Sequence, residues 1–266
     1  MPKTRADLQF IVIMKAPSTN LIERLFASGA HFGFKKSRRH PTVTPYLFTS
    51  KDGSDIFDLE QTASSIEAAK AMLEEAGKNG KTVLFVATKD EMSRLVKDTA
   101  EKIAQPYVVN RWIGGMFTNW SEIKKRIYRL ESLINEKESG ELDRKYTKKE
   151  RVLINREIDK LQFNFGGIKS CQKVADIMVV VDPRHDHIAI TEAAEMNVPT
   201  IAIMSSDCDA SKVTYPITVN DALQSSVAIV LAELGTAYQN GKALYVPKPA
   251  APRPDTRPVR RPRTDA

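Results

Sequence analysis

The stretch Ile177-Met-Val-Val-Val-Asp182 decides the fold. Its five apolar residues run without alternation, four of them β-branched, and stop at an aspartate. A strand with one wet face alternates in polarity, whereas a strand covered on both faces does not. IMVVVD is therefore a doubly covered strand, and it requires parallel neighbours joined by helical crossovers. Four further runs supply them: VLFVAT (Val83 to Thr88), TIAIM (Thr200 to Met204), and the weaker YVV (Tyr107 to Val109) and PITV (Pro216 to Val219). Between them lie helical patterns. Thr62 to Ala76 carries Ile66, Ala69, Met72 and Leu73 on one side, as a covering helix should. The turns NGK before the first run and NVP before TIAIM close the units, giving an α/β, doubly wound, mostly parallel sheet with helices on both faces.

The segment from Asn119 to Phe165 breaks this rhythm. Trp120, Ile123, Ile127, Leu130 and Ile134 are spaced as a heptad seam, and Ile154, Ile158, Leu161 and Phe165 repeat it after a polar break at Ser139-Gly140. Thr147-Lys-Lys-Glu150 is a capping box that opens the second helix, and Asn119-Trp-Ser-Glu122 is expected to cap the first in the same way. The reading is an α-helical coiled-coil hairpin, 119–165, inserted into an α/β domain formed by 21–118 and 166–245. After Tyr245 the chain turns rich in Pro and Arg, with one Lys and five Arg against two Asp. Such a composition cannot bury enough apolar surface to fold, so 246–266 reads as a disordered basic tail. It is either a polyanion contact or a solubilising terminus.

The bulk composition sets limits. The chain has 266 residues, 42% hydrophobic and 27% charged, with net charge +7 and pI near 9.3. That excess suits a polyanionic partner without requiring one. Cys171 and Cys208, the two cysteines, cannot make a disulfide framework and fit a reducing compartment. The apolar run Phe10 to Met14 is too short for a membrane span or a secretory core, and Asp7 argues against a transit peptide. The expectation is a cytosolic protein.

Catalytic signatures are scarce. No G-x-G occurs, which removes the dinucleotide fingerprint, and Gly166-Gly-Ile-Lys-Ser170 lacks the spacing of a phosphate loop. Asp182-Pro-Arg-His-Asp-His187 is the best catalytic or metal candidate, because it follows a strand and alternating His185 and His187 can chelate a cation such as Mg or Zn. The alternative is a strand-end loop whose polar groups cap the helix from Ile188. His31-Phe-Gly-Phe-Lys-Lys-Ser-Arg-Arg-His40 is richer in cations. Its two phenylalanines are expected to anchor the loop while Lys35, Lys36, Arg38, Arg39 and His40 face outward toward phosphate. In NRWIGGMFTNW the chain's two tryptophans, Trp112 and Trp120, flank a Gly114-Gly115 turn. There Arg111 offers a phosphate fork and Asn119 a polar contact or cap.

Set in order, SGAHFG, YLF with IFDLE, VLFVATK, YVVNRWIGGMFTNW, YTKKE, FGGIKS, ADIMVVVD, HIAITEA, NVPTIAI and Asn220-Asp221 resemble the bacterial-type small-subunit ribosomal protein uS2 family, over about Leu21 to Gly241. The resemblance implies a Rossmann-like or flavodoxin-like domain with a helical arm. It also implies a non-enzymatic role in the cytoplasm as a structural constituent of the small (30S) subunit. The implied partners are 16S rRNA, neighbouring ribosomal proteins and, where present, ribosomal protein S1, with no membrane contact, no homo-oligomer and no obligate cofactor. Lys89, which closes VLFVATK, joins the implied rRNA-contacting set. Residues 1–20 read as an N-terminal extension, with Met14 an alternative start. Departures from the family pattern fall at Phe34, His40-Pro41, Ala87 and Ser205 to Lys212, and they bear on the contacts of 34–40 and on any shared ion site. The rival reading is a nucleotide- or metal-dependent hydrolase using the His185/His187 loop.

Overall fold

The computed structural model describes residues 19–245. The basic tail and all but the last two residues of the expected N-terminal extension lie outside the described residues. In chain order the elements begin with α1 (Thr19–Ala27), β1 (Phe32–Lys35), β2 (Leu47–Lys51), β3 (Ser54–Phe57) and α2 (Leu59–Lys78). Then come β4 (Val83–Val86), α3 (Asp90–Lys102), β5 (Tyr107–Val108), α4 (Trp120–Glu138), α5 (Glu141–Lys145) and α6 (Lys148–Phe165). The last are β6 (Ile177–Val181), α7 (His187–Glu195), β7 (Thr200–Met204), β8 (Tyr215–Thr218) and α8 (Gln224–Ala243).

All five apolar runs read from the sequence are strands of one parallel sheet, ordered β5-β4-β6-β7-β8. One register row crosses it whole: Tyr107, Phe85, Val179, Ile201 and Tyr215. Because side chains alternate along a strand, the Phe85, Val179, Ile201 and Ile217 face packs on α1, α2, α3 and α8. Leu84, Val86, Met178, Val180 and Ala202 face the other way, onto α7 and the loop before α4. This is the doubly covered sheet that unbroken hydrophobicity demanded. Between β4 and β6 the strand order reverses, and a doubly wound sheet opens its ligand crevice at such a point.

A second sheet, absent from the sequence reading, is three-stranded and antiparallel, ordered β1-β3-β2. Its strands are only four or five residues long; β2 is mostly exposed and β3 alternates partly buried with buried positions, so none carries an unbroken apolar run. It docks on the end of β7 through Ser206, whose carbonyl accepts from His40 N at 2.8 Å and whose Oγ accepts from Phe34 N at 3.0 Å. Right after β3, Asp58 starts α2 by accepting from Glu60 N.

The insertion between β5 and β6 is helical. Ile123, Ile127, Leu130 and Leu133 of α4 face Ile158, Leu161 and Phe165 of α6, and these residues continue into the core under the sheet. Leu133, rather than Ile134, is the fully buried position of its turn. The Thr147–Glu150 capping box is present, with Thr147 N donating to Glu150 Oε2 at 2.9 Å. The cap expected from Asn119 is not. Its side chain accepts from Ser121 Oγ instead, and Glu122 bonds Lys125.

Candidate nucleic-acid interface

The Trp-Gly-Gly loop is organised from below by one carboxylate. Glu192, on α7 and only 7% exposed, accepts from Trp112 Nε1 at 3.1 Å, Gly115 N at 2.8 Å and Phe117 N at 3.0 Å. Gly115 adopts φ +95°, a backbone that favours glycine and that turns the amides inward. Trp112 and Phe117 lie 5.5 Å apart, ring to ring, in the core. Trp120 is half-buried at the base of α4. The tryptophans are therefore anchors, and Arg111, Gly114, Thr118 and Asn119 are what the loop leaves exposed. Asn110 ties the same loop to the arm by donating to Phe163 O at 2.6 Å.

The cationic segment divides into two kinds of residue. Lys35 and Lys36 are exposed, at the end of β1 and in the turn after it. Arg38 lies over the Phe34 ring at 4.4 Å and donates to Asp207 Oδ2 at 3.1 Å, with its side chain 52% exposed. Arg184 donates to the same oxygen at 2.5 Å. The Asp207 side chain, only 5% exposed, thus gathers two guanidinium groups whose outer donors still face solvent.

Arg39 departs from expectation. Its Nε donates to Asp55 Oδ2 at 2.8 Å, a second nitrogen pairs with the other oxygen, and Ser50 Oγ accepts from it as well. The Asp55 side chain is fully buried, so Arg39 answers a buried charge rather than facing outward. The expected aromatic anchoring is also different. Phe32 is half exposed and packs on His31 at 4.0 Å, while Phe34 supports Arg38. His40 bonds Thr42 Oγ1 at 2.8 Å. Lys89 sits apart from this segment, 3.4 Å from Asp182 at the end of β6.

At the Asp182–His187 loop, His185 Nδ1 bonds Thr88 Oγ1 at 2.8 Å. His187 is exposed and lines a pocket of about 240 Å³ with His40, Arg184, Cys208 and Lys212. Among the described residues neither histidine belongs to a group of three converging ligand atoms. Asp182, Cys208 and Asp221 do form one, with ligand atoms within 4.8 Å of one another. Asp186 makes no side-chain cap. It accepts from Thr88 N and Oγ1, and burial pushes its carboxyl up against those two bonds. Burial raises the Cys171 thiol to about 11, and burial with surrounding carboxylates raises Cys208 further, so neither is an activated thiolate. Sequence spacing carried no sign of Asp55, Glu192 or Asp207, which are single acids that the fold alone brings to their partners. Arg184 stood out only as part of the histidine motif.

By class this is a doubly wound α/β domain with a helical insertion and a cationic face. A model of the ribosomal protein S2 family matches residues 25–241. Small ribosomal subunit protein uS2 of Picosynechococcus sp. is 40% identical over 226 residues, covering 85% of this chain and 88% of that protein. The uS2 proteins of Synechocystis sp. (38% identical, 82% of this chain, 81% of that protein) and Nocardia farcinica (39% identical, 83% and 77%) are similar to it as well. The chain belongs to the bacterial uS2 family.

Proposed function

We propose that the chain is a structural, non-enzymatic constituent of the small ribosomal subunit that binds 16S rRNA through the face around Lys35, Lys36, Arg38 and Arg184. Family membership makes it a ribosomal protein of the small subunit acting in translation, and the family is structural rather than enzymatic. Among the described residues no helix is long and apolar enough to cross a membrane.

The observation that carries the rRNA reading is Asp207 holding Arg38 and Arg184 side by side. Their remaining donors form a pre-set fork for phosphate oxygens, next to two mobile lysine charges. Exposed Arg111 adds a cation at the base of the arm. Arg39 leaves the contact set, because displacing it would strand Asp55. Contacts with neighbouring small-subunit proteins, including support of ribosomal protein S1 recruitment where S1 is present, and a single cytoplasmic copy per subunit belong to the same reading. So does the coiled-coil arm of α4 and α6 as a reach toward neighbours. No observation favours the hydrolase alternative at His185 and His187.

The test is complementation of a strain depleted of its own uS2 protein with this chain, followed by sedimentation of ribosomal subunits. Cosedimentation with small subunits, lost at high salt for the free protein on rRNA, is expected. A chain that stays at the top of the gradient while the subunits assemble normally overturns the assignment.

A further inference from the structure

We propose that the segment Leu8 to Met14 of this chain docks on the exposed aromatic face that α1 and β1 present, closing that face in the free protein. The face begins at Phe26 of α1, 63% exposed, whose ring stacks on His31 at 4.6 Å with 12° between the planes. His31 in turn lies 4.0 Å from Phe32, half exposed at the start of β1. Leu223, just before α8, joins them across Gly29, where an added Cβ would stand 3.1 Å from Leu223 Cδ1 and 3.8 Å from the Phe32 ring. Beyond Phe32 the register row runs through Ile56 to Thr49, and Phe48, 76% exposed, is the extra residue of the bulge beside it. Single exposed apolar side chains are ordinary on a protein surface, but a contiguous run of them marks a docking site.

Charge and reach choose the occupant. Of these side chains only His31 can ionise, and burial holds its imidazole below the ordinary 6.5. The stack is therefore neutral near pH 7, and it suits an apolar guest rather than a phosphate. Leu8-Gln-Phe-Ile-Val-Ile-Met14 has six apolar residues in seven, lies outside the described residues and precedes α1 closely. The five steps from Met14 to Thr19 span at most about 18 Å. Phe26 lies only about 10 Å along α1 from Thr19, so the segment can double back onto it without unwinding the helix. From Phe26 the face extends by the ring steps of 4.6 Å and 4.0 Å, then across two interstrand spacings of about 4.8 Å each. Seven extended residues, at roughly 3.3 Å each, cover that length. A tether this short holds the segment at an effective concentration in the millimolar range, above what a second copy or a separate peptide reaches in dilute solution. Phe10 adds a ring that can pack offset or edge-on against Phe26 or Phe32. Docking then removes two apolar surfaces from water at once.

The test uses the purified full chain in dilute solution, with the photoreactive p-benzoylphenylalanine in place of Phe10. Irradiation is expected to join residue 10 to a peptide carrying Phe26, Phe32 or Phe48 of the same molecule, in a yield independent of protein concentration. Chymotrypsin cuts after aromatic residues, so cleavage of the Phe10–Ile11 bond in the parent chain reports undocking. Ile13→Asp in the segment and Phe48→Ser in the face should each speed that cleavage roughly tenfold, because each releases a tethered contact. Combined, they should speed it no more than either alone, since both break the same contact. Phe48 is 76% exposed, so its replacement removes no core packing, and Ile13→Asp gives the same reading without touching the face. A cross-link yield that rises with concentration assigns the face to a second copy and overturns the proposal. Protection that appears only when single-stranded RNA is added assigns it to a nucleobase, with the same consequence. Absent cross-links to the three phenylalanines, or cleavage indifferent to both variants, also overturns it. Every readout comes from the free chain, so the result stands apart from that of the ribosome experiment.

Discussion

The indole N–H of Trp112 donates to Glu192 Oε1 at 3.1 Å, joining residues eighty positions apart in the chain. Two backbone amides of the same loop converge on that carboxylate, so a conspicuous glycine-tryptophan motif is shaped by an unremarkable acid on a distant helix.

Removing Glu192 should therefore unfold more than its own contact. Glu192→Ala strands three inward donors, each costing about 1–3 kcal/mol when buried without a partner. Thermal unfolding should drop by roughly 2–4 °C per kcal/mol lost. Trp112→Phe, which removes one donor and keeps an aromatic ring, should cost less than half as much. Equal losses for the two variants would contradict the convergent arrangement.

The Arg39–Asp55 pair makes a prediction in pH. The Arg39 guanidinium, with help from Ser50, holds the Asp55 carboxyl below its ordinary 3.8 despite burial. A depressed acid constant adds stability above the ordinary value, and that stability is lost as pH falls through the depressed one. Asp55→Asn should be destabilised by about 1–3 kcal/mol near neutrality, because it takes the charged hydrogen-bond partner from the partly buried Arg39 guanidinium. The gap to the parent should stay constant from pH 8 to 5 and narrow below about pH 4. Chemical denaturation across that range measures it.

Lys35 and Lys36 should affect binding and not folding. Lys35→Ala with Lys36→Ala should leave the melting temperature unchanged and flatten the salt dependence of rRNA binding by about 0.7–0.9 per lost phosphate contact. Arg39→Ala should do the reverse, lowering stability. A filter-binding series over salt, paired with calorimetry, separates the two kinds of cation.

Close packing of α2 on α8 supplies a control remote from any ligand. A Cβ at Gly77 would lie 2.5 Å from the Tyr238 carbonyl oxygen, and one at Gly241 would meet the Glu74 carbonyl oxygen. Gly77→Ala or Gly241→Ala should cost about 1–3 kcal/mol by forcing the helices apart, with rRNA affinity per folded molecule unchanged.

Much of the architecture was legible because burial on both faces leaves a one-dimensional trace. Runs such as Val83–Val86 and Ile177–Val181 can be continuous only if nothing on either side is water. The seam of Ile123, Ile127 and Leu130 and the Thr147–Glu150 box are local periodicities and local hydrogen bonds, so helices α4 and α6 were legible in the sequence. The three-stranded sheet escaped notice because its strands are short, lack an unbroken apolar run and are irregular in register.

What the linear chain determined, then, is whatever depends on spacing between near neighbours: the strands, the helices, the excess of positive charge and its concentration around residues 35–39. Only the tertiary structure decided which of those cations are available. Arg39 and Arg38 are adjacent and chemically identical, yet one is held by buried Asp55 and the other stays half exposed beside Arg184. The same holds for Glu192 beneath the tryptophan loop. The physical reason is that a charge's behaviour follows from the solvent and partners around it, and folding brings those partners from positions the sequence keeps far apart.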